Sequence, residues 1–175
     1  MCGIVGYVGK KPVVDILLDG LEQLEYRGYD SSGIAIKTST SIDVYKAEGK
    51  LANLRDVLRP NTSKIVDSTM GIGHIRWATH GAPTVLNAHP HTCNCGNLVV
   101  VHNGIIENYK ELRAELEAEG CTFRSQTDTE TVSHLVASIY AEVKDLTKAV
   151  QLATKKIQGA YALCIMHNNE PETLV

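Results

Sequence analysis

The spacing of hydrophobic and polar residues in the first part of the chain predicts strands connected by helices. Small and β-branched residues alternate along Gly3–Val8, which is typical of a buried strand. Pro12 suits a first helical position, apolar residues follow it at helical spacing, and Gly28 is a natural stop for that helix. Two alternating segments, 33–37 and 42–46, flank a turn rich in Thr and Ser and therefore predict a hairpin.

The rest of the chain mixes the strand and helix periods. In order, the pattern predicts a helix at 51–58, strands at 70–77 and 98–102, helices at 107–119 and 146–157, and a strand at 161–166. Segment 127–130 has the sequence of a capping box, and an apolar face at helical spacing follows it, so a further helix begins there. Strands cluster early and helices late, which predicts an α+β layered fold. No repeat or flexible linker divides the chain, so we expect one domain over residues 1–175.

Composition and charge narrow the possible partners. The chain has 17 basic and 20 acidic residues, dispersed along its length, for a formal charge of −3. Without a basic patch, nucleic acid is not an expected partner. No apolar run approaches the roughly 20 residues needed to cross a bilayer, and the first residues lack the order of a signal peptide. These features predict a cytoplasmic protein, and five cysteines without framework spacing predict reduced thiols.

Cys2 is the first residue with a candidate chemical role. Removal of Met1 would leave a thiol and a free α-amine on the same residue. The α-amine has a pKa of about 7.7–8.0 in peptides, so much of it is an available base at neutral pH. A thiolate is the attacking form of cysteine, and a neighbouring base can take the thiol proton. The alternative is a cysteine that follows the start codon by chance.

Two polar segments beside predicted strands could form a binding site. Arg27 and Asp30 lie in a turn between a helix and a strand, where a local ion pair is the alternative explanation. Segment 73–81 runs from a strand into a loop that carries four functional side chains, namely Arg76, Trp77, Thr79 and His80. An arginine offers a rigid fork for a carboxylate, and threonine and histidine can add single hydrogen bonds. This concentration at the end of a strand indicates a site.

Two further segments each allow a structural and a functional interpretation. Asn103-Gly104 between apolar runs is the strongest short-range signal for a hairpin. The same residues could instead direct a side-chain amide and a backbone N–H at a developing oxyanion. Asp128 suits a helix cap, but it could also bind the ammonium group of a substrate.

The segment from His89 to Cys95 contains residue types that bind zinc. The histidines are His89 and His91, and the cysteines are Cys93 and Cys95. Alternate spacing in a strand-like loop is poorly suited to closing a tetrahedron, and the chain has no second paired cysteine cluster. We therefore expect no metal site.

Together these motifs resemble the class II, N-terminal-nucleophile glutamine amidotransferases. The matching motifs occur in that family's order and span nearly the whole chain: Cys2-Gly-Ile-Val-Gly6, Tyr26-Arg-Gly-Tyr-Asp-Ser31, Arg76-Trp-Ala-Thr-His80, His102-Asn-Gly104 and Thr127-Asp-Thr-Glu130. Within the class, Leu24-Glu-Tyr-Arg-Gly-Tyr-Asp30 resembles the glucosamine-6-phosphate synthases more than the enzymes that use phosphoribosyl pyrophosphate or form asparagine. Gly49-Lys-Leu-Ala-Asn-Leu54 and Asn87-Ala-His-Pro-His91 support the same branch.

The resemblance implies a fold and a role for each motif. The fold is an αββα sandwich of two facing antiparallel sheets with outer helices. Cys2 would attack the side-chain amide of glutamine with its own α-amine as base, and Asn103 and Gly104 would form the oxyanion hole. Arg76 would bind the α-carboxylate of glutamine, with Thr79 and His80 nearby, and Asp128 would bind its α-ammonium. Arg27 would lie near the nucleophile. Trp77 would lie on the route of released ammonia.

The resemblance also implies partners and a missing part. Glutamine is the expected substrate, no cofactor is expected, and the ammonia would serve a sugar isomerase domain that acts on fructose 6-phosphate. That domain is absent from the 175 residues, and Val175 is expected to lie within a strand of an incomplete glutaminase domain. The full-length enzyme is expected to be a homo-oligomer. The alternatives are the same chemistry in the phosphoribosyl-pyrophosphate branch and a catalytically silent glutamine-binding module.

Overall fold

The first of two antiparallel sheets is built from the early strands of the chain. The computed structural model describes residues 2–26, 28–77 and 82–175. The first sheet contains β1 (Gly3–Val8), β2 (Ser31–Lys37), β3 (Ile42–Glu48) and β4 (Met70–Arg76) in the order β1-β4-β2-β3. The predicted hairpin is confirmed, since β2 and β3 pair along their whole lengths.

Helices cover the outer face of this sheet. They are α1 (Val13–Glu25), α2 (Leu51–Leu58) and the single turn α3 (Thr62–Ile65), with a 3-10 turn at Arg59–Asn61 before α3. Leu17 and Leu21 of α1 and Leu54 of α2 are fully buried against Ile34 of β2. Their helical spacing is the pattern that predicted α1 and α2 from the sequence.

The second sheet is built from strands further along the chain. It contains β5 (His91–Thr92), β6 (Leu98–Gly104) and β7 (Tyr161–His167) in that order. On the other edge of β7, Val175 exchanges two backbone hydrogen bonds with Ile165, at 2.8 and 3.1 Å. The outer face is covered by α4 (Tyr109–Ala118), α5 (Thr129–Val143) and α6 (Leu146–Thr154).

The two sheets pack face to face through a third group of buried side chains. Ala35 and Ile72 of the first sheet lie in one apolar cluster with Val99, Val101 and Met166 of the second. Helices, sheet, sheet and helices therefore form four layers, and the predicted αββα sandwich is confirmed. No helix in the described part of the chain is long and apolar enough to span a membrane.

The strand register brings the candidate residues to one edge of the sandwich. Gly3 pairs with Ile75 in the β1–β4 ladder, so Cys2 lies beside the end of β4. Ser31 pairs with Arg76 on the opposite side of β4. The end of β6 carries Asn103 and approaches the same edge, because the Asn103 side chain contacts the backbone of Cys2.

The structural interpretation of Asn103-Gly104 as a hairpin turn is wrong. Asn103 and Gly104 form the last two pairs of β6 with β7, opposite Ala162 and Tyr161. The chain then continues through Ile106 toward α4 instead of turning back on itself. The short-range signal failed because the partner strand, β7, lies almost 60 residues further along the chain.

Candidate active site

The Cys2 thiol is held against the backbone at the end of β4. The N–H of Trp77 donates a hydrogen bond to Cys2 Sγ at 3.1 Å, and the sulfur lies 3.4 Å from the Trp77 carbonyl oxygen. Because Cys2 directly precedes the first paired residue of β1, its position follows from the β1–β4 register. The side chain is partly exposed, so a ligand can reach the sulfur.

The carboxamide of Asn103 lies between the Cys2 backbone and a buried histidine. Its Nδ2 donates to the Cys2 carbonyl oxygen at 3.4 Å, and its Oδ1 lies 2.9 Å from Nε2 of His74. Next to it, Gly104 has a φ angle of +110°, and a side chain there would collide with the Ala160 carbonyl oxygen. Glycine is therefore required at the end of β6.

Arg76 is a buried cation at the end of β4. Its side chain is 4% exposed, and Nη1 lies 3.7 Å from Oδ1 of Asp30. Nη1 also donates to the Ala82 carbonyl oxygen at 3.4 Å. The sequence suggested that Asp30 forms a local ion pair with Arg27, but Arg27 lies outside the described residues; in the structure Asp30 pairs with Arg76.

Asp128 directly precedes α5, but its carboxylate does not cap that helix. The side chain makes no capping hydrogen bond, and its Oδ2 instead accepts the backbone N–H of Ile106 at 2.8 Å. The capping interpretation of Asp128 is therefore wrong. Because Ile106 follows β6, the hydrogen bond fixes a carboxylate beside the end of the strand that carries Asn103 and Gly104.

Glu130, the other acidic residue of the predicted capping box, binds the loop that precedes α5. It accepts the backbone N–H groups of Arg124 and Ser125 and the Ser125 hydroxyl at 2.6–3.2 Å. Burial opposes ionisation, but the nearby His134 ring and the hydrogen bonds from Ser125 and Arg124 outweigh it and lower the pKa of Glu130 to about 2. Glu130 thus fixes the loop before α5.

Trp77 is the exposed member of the group. Its side chain is 52% exposed, and its ring covers Gly28, where a side chain would collide with the ring. Gly28 has a φ angle of +92°, so glycine meets both the backbone and the packing requirement. The remaining predicted site residues, Arg27, Thr79 and His80, lie outside the described residues.

A layer of four buried histidines underlies these residues, and sequence analysis missed it. The layer contains His74, His89, His91 and His102. The His74 and His89 rings stack with centroids 4.2 Å apart, and His91 meets His89 edge-on at 4.9 Å. Three segments of the chain contribute these rings, so their proximity has no local sequence signal.

Three histidines of the layer, His89, His91 and His102, contact threonines at the start of α5 or just before it. Thr129 Oγ1 lies 2.9 Å from Nδ1 of His102 and 3.3 Å from Nε2 of His89. Thr127 Oγ1 lies 3.1 Å from Nε2 of His91. Because Asp128 lies between the two threonines, the layer connects it to the strand that carries Asn103.

Burial keeps three histidines of this layer, His74, His89 and His91, neutral. Desolvation is the largest cause of the lowered pKa of His74, which falls to about 4 although its hydrogen bond with Asn103 opposes the shift. Desolvation lowers the pKa of His89 well below 6.5, with the neighbouring histidines adding to the effect. The pKa of His91 is also well below 6.5, because of desolvation and then the charge of Lys46.

A small cavity joins the candidate residues. Its volume is about 30 Å³, and its lining includes Cys2, Arg76, Trp77, Gly104 and Asp128. Larger cavities of about 600 and 450 Å³ lie near Lys37 and Lys46, respectively, and none of the predicted site residues that the structure describes lines them. The small cavity is therefore the candidate active site, because a thiol, a cation and a carboxylate line it.

The candidate zinc ligands of segment 89–95 do not converge on one point. His89 and His91 belong to the buried histidine layer, whereas the sulfurs of Cys93 and Cys95 lie 2.6 Å apart at a turn. Two thiolates on one tetrahedral zinc ion would lie roughly 3.8 Å apart, given Zn–S bonds of about 2.3 Å. In the described part of the chain, no three potential ligand side chains are grouped so that they could hold a metal ion.

Comparison with known proteins decides the family. Residues 80–175, more than half of the chain, match the family model of the glutamine amidotransferase domain. The chain belongs to this family. The resemblance to the glutamine amidotransferases noted in the sequence is therefore confirmed.

Relatives of this glutamine amidotransferase domain include much longer proteins. The whole chain is 52% identical to the isomerizing glutamine–fructose-6-phosphate aminotransferase of Symbiobacterium thermophilum and covers 28% of it. Over 98% of the chain, it is 51% identical to the enzyme of the same name from Thermus thermophilus, again covering 28%. The chain thus spans about 28% of the length of these curated relatives.

Solved structures show the same fold at lower identity. The glutamine phosphoribosyl-pyrophosphate amidotransferase of B. subtilis matches 96% of the chain with a TM-score of 0.76 and 27% identity, and the match covers 35% of that protein. A structure described as the allosteric regulatory enzyme of purine biosynthesis matches 96% of the chain with a TM-score of 0.78 and 26% identity, over 36% of its own length.

Proposed function

We propose that this domain hydrolyses glutamine to glutamate and ammonia through a thioester on Cys2. The observation that carries the proposal is the convergence of Cys2, Arg76, Gly104 and Asp128 on one cavity, with the Asn103 amide beside the Cys2 backbone. Membership of the glutamine amidotransferase domain family supports the same reaction. The individual roles of the residues are part of this proposal.

The charges at the cavity fit the two charges of glutamine. A free amino acid carries a carboxylate and an ammonium group on its α-carbon, so its site needs a cation and an anion. Arg76 is proposed to bind the α-carboxylate, with Thr79 and His80 nearby, and Asp128 is proposed to bind the α-ammonium. Arg76 and Asp128 are 4% and 5% exposed, so both interactions would form away from bulk water and be stronger for that.

The proposed reaction begins with attack of Cys2 Sγ on the side-chain amide carbon. The α-amine of Cys2, freed by removal of Met1, takes the thiol proton, and Asn103 Nδ2 and the Gly104 N–H stabilise the oxyanion. Collapse of the tetrahedral intermediate breaks the C–N bond, and the departing nitrogen takes a proton to leave as ammonia. Water then hydrolyses the thioester to glutamate and restores the thiol. Arg27 is proposed to lie near the nucleophile.

The similarity to much longer relatives suggests which acceptor receives the ammonia. We propose that residues 1–175 serve as the glutaminase domain beside a sugar isomerase domain, which uses the ammonia to convert fructose 6-phosphate into glucosamine 6-phosphate. The names of relatives about 50% identical favour this acceptor over phosphoribosyl pyrophosphate, whose enzyme is 27% identical. Trp77, half exposed beside Cys2, is proposed to lie on the ammonia route. We further propose a homo-oligomeric, cytoplasmic full-length enzyme.

A glutaminase assay tests the proposal on protein whose amino terminus has been determined by mass spectrometry. Glutamate and ammonia should appear in equal amounts, and Cys2→Ala should abolish both while leaving the thermal unfolding transition in place. Hydrolysis by a folded Cys2→Ala protein at the wild-type rate would rule out the thioester. Glutamine binding without hydrolysis by fully processed protein would instead identify a silent binding module.

A further inference from the structure

The two ends of the Asn103 carboxamide face different partners. Nδ2 faces the carbonyl oxygen of Cys2, and Oδ1 faces Nε2 of His74. A carbonyl oxygen accepts hydrogen bonds and cannot donate them, so the 2.9 Å contact requires a hydrogen on Nε2. A flipped carboxamide would place Oδ1 against the Cys2 carbonyl oxygen, where two acceptors would repel each other.

His74 is fixed as the tautomer that this contact requires. Desolvation lowers its pKa to about 4, so the ring is neutral at physiological pH and carries a single hydrogen. With that hydrogen on Nε2, Nδ1 is an acceptor. Nδ1 is buried and has no hydrogen-bond partner among the described residues. If the hydrogen were on Nδ1 instead, Nε2 would face Oδ1 with a lone pair, and two acceptors would lie 2.9 Å apart.

The His74 ring is also held in orientation. His74 lies on β4, between β1 and β2, and pairs with Ile4 on one side and Gly33 on the other. Its ring stacks on His89 at an interplanar angle of 22°. The donor that faces Asn103 thus belongs to a central strand and a packed ring rather than to a loop.

We infer that His74 is a positioning residue that fixes the Asn103 carboxamide with its N–H groups toward the reacting carbonyl. The inference rests on the proposed glutaminase reaction. An oxyanion hole acts through donors that are oriented before the charge develops. A carboxamide free to turn would present its oxygen to the developing charge for part of the time. His74 acts through Asn103 and does not itself touch the substrate.

Two substitutions of His74 separate this role from a contribution to packing. His74→Leu removes the donor, and His74→Gln keeps an N–H group at a similar reach. For His74→Leu, kcat for glutamine should fall about ten- to a hundredfold, with KM nearly unchanged. This loss is smaller than the decrease of about 10²–10³-fold in kcat that follows removal of an oxyanion-hole donor itself. His74→Gln should recover most of kcat. His167→Leu is the matched control, because His167 is buried in the second sheet, where it pairs with Leu98 at the end of β6 far from Asn103.

Alkylation of Cys2 by iodoacetamide measures the reactivity of the thiol in a reaction that forms no oxyanion. Displacement of iodide at a saturated carbon creates no tetrahedral oxyanion, so the alkylation rate should be the same in all three variants and in the wild type. A parallel loss of alkylation and hydrolysis in His74→Leu would show that the substitution damages the nucleophile and would overturn the inference. Wild-type kcat in a folded His74→Leu protein would overturn it as well.

Nitrogen NMR of the wild-type protein tests the geometry without any reaction. The ring nitrogens of His74 should show hydrogen on Nε2 and none on Nδ1. The opposite tautomer would overturn the inference, even if no variant folds. A processed wild-type protein with the expected tautomer but without hydrolysis would refute the proposed reaction instead, and with it the positioning role that rests on it.

Discussion

The backbone N–H of Ile106 donates a 2.8 Å hydrogen bond to Oδ2 of Asp128. The bond joins the carboxylate to the segment that follows β6, so Asp128 holds the main chain beside the proposed oxyanion hole. Its structural contribution and its proposed contribution to ligand binding can be separated by two substitutions.

Asp128→Asn should weaken glutamine binding while preserving the fold. Asparagine keeps an oxygen acceptor for the Ile106 N–H but loses the negative charge proposed to bind the α-ammonium. Hydrogen bonds to charged groups contribute about 1.5–3 kcal/mol, which corresponds to roughly a ten- to hundredfold rise in KM. Asp128→Ala should in addition lower the free energy of unfolding by about 1–3 kcal/mol, because the Ile106 N–H loses its acceptor. Steady-state kinetics and urea unfolding measure the two effects, and an unchanged KM in Asp128→Asn would refute the ligand role.

Arg76→Lys should raise the KM for glutamine. Lysine keeps a positive charge near Asp30, but it lacks the planar fork that binds a carboxylate through two parallel hydrogen bonds. We expect roughly a tenfold rise in KM for glutamine, from loss of about 1.5 kcal/mol. A γ-amide substrate without the α-carboxylate is the control, since wild-type and variant should hydrolyse it alike. If wild-type protein hydrolysed that substrate as well as glutamine, Arg76 would have no carboxylate to bind.

A diazo-ketone analogue of glutamine should label Cys2 before any other cysteine. Burial raises the pKa of both Cys93 and Cys164 to about 11, so these thiols remain protonated at neutral pH. Cys95 is exposed, and a Cys95→Ser variant controls for simple accessibility. Peptide mapping should find the label on Cys2 at an unchanged rate in Cys95→Ser. Labelling at Cys95 ahead of Cys2 would contradict recognition at the proposed site.

Retention of Met1 should abolish hydrolysis. A peptide bond to Met1 converts the proposed base into an amide, which is not basic at physiological pH. Acid–base catalysis typically contributes about 10²–10⁴-fold, and the extra residue would also crowd the nucleophile. Aminopeptidase treatment of a Met1-retaining preparation should restore activity in proportion to the processed fraction measured by mass spectrometry. Full activity in completely unprocessed protein would exclude the N-terminal base.

The histidine layer should make the fold sensitive to mild acid. The pKa of His74 falls from 6.5 in the unfolded chain to about 4 in the folded state, and those of His89 and His91 also lie well below 6.5. Between those values the unfolded state binds more protons than the folded state. The contribution of these histidines to the free energy of unfolding is therefore fully present above pH 6.5 and is lost as the pH falls toward 4. For His74 alone the loss amounts to about 3 kcal/mol.

Urea unfolding at a series of pH values measures this loss. Each of the three histidines can add up to about 1.4 kcal/mol per pH unit to the slope. A His74→Gln variant should have a smaller slope between pH 6.5 and 4. Glu130, with a pKa lowered to about 2, acts in a separate window below pH 4.5 and should leave the first window unchanged. A flat stability profile from pH 7 to 5 would show that the histidines are not held neutral.

Local sequence patterns predicted the helices and strands, because each of these elements forms from residues close together in the sequence. Gly3–Val8 and Leu51–Leu58 were predicted to the residue, since alternation and helical spacing act over a few positions. Helix ends were less accurate: the helix predicted at 146–157 ends at Thr154. Trp77, predicted as part of a strand, follows the last residue of β4.

The candidate site was predicted from ordered motifs, but its contacts were not. Asp128 and Asn103 were each assigned a functional alternative, yet a short-range rule favoured a cap for one and a hairpin for the other. Both rules failed because the deciding partners, Ile106 and β7, are distant in sequence. The contact between His74 and Asn103 joins positions 29 residues apart, and the periodicity of the sequence cannot predict such a contact.

The antiparallel ladder between β1 and β4 determines where the proposed nucleophile, Cys2, is located. Gly3 opposite Ile75 begins an unbroken run of pairs that ends with Val8 opposite Met70. The register of β1 with β4 therefore sets the position of Cys2 relative to the backbone of Trp77. One inserted residue between Cys2 and Gly3 would displace the thiol by about 3.3 Å and turn it toward the other face of the sheet. The sheet would survive such an insertion unchanged, whereas the thiol would no longer meet Trp77.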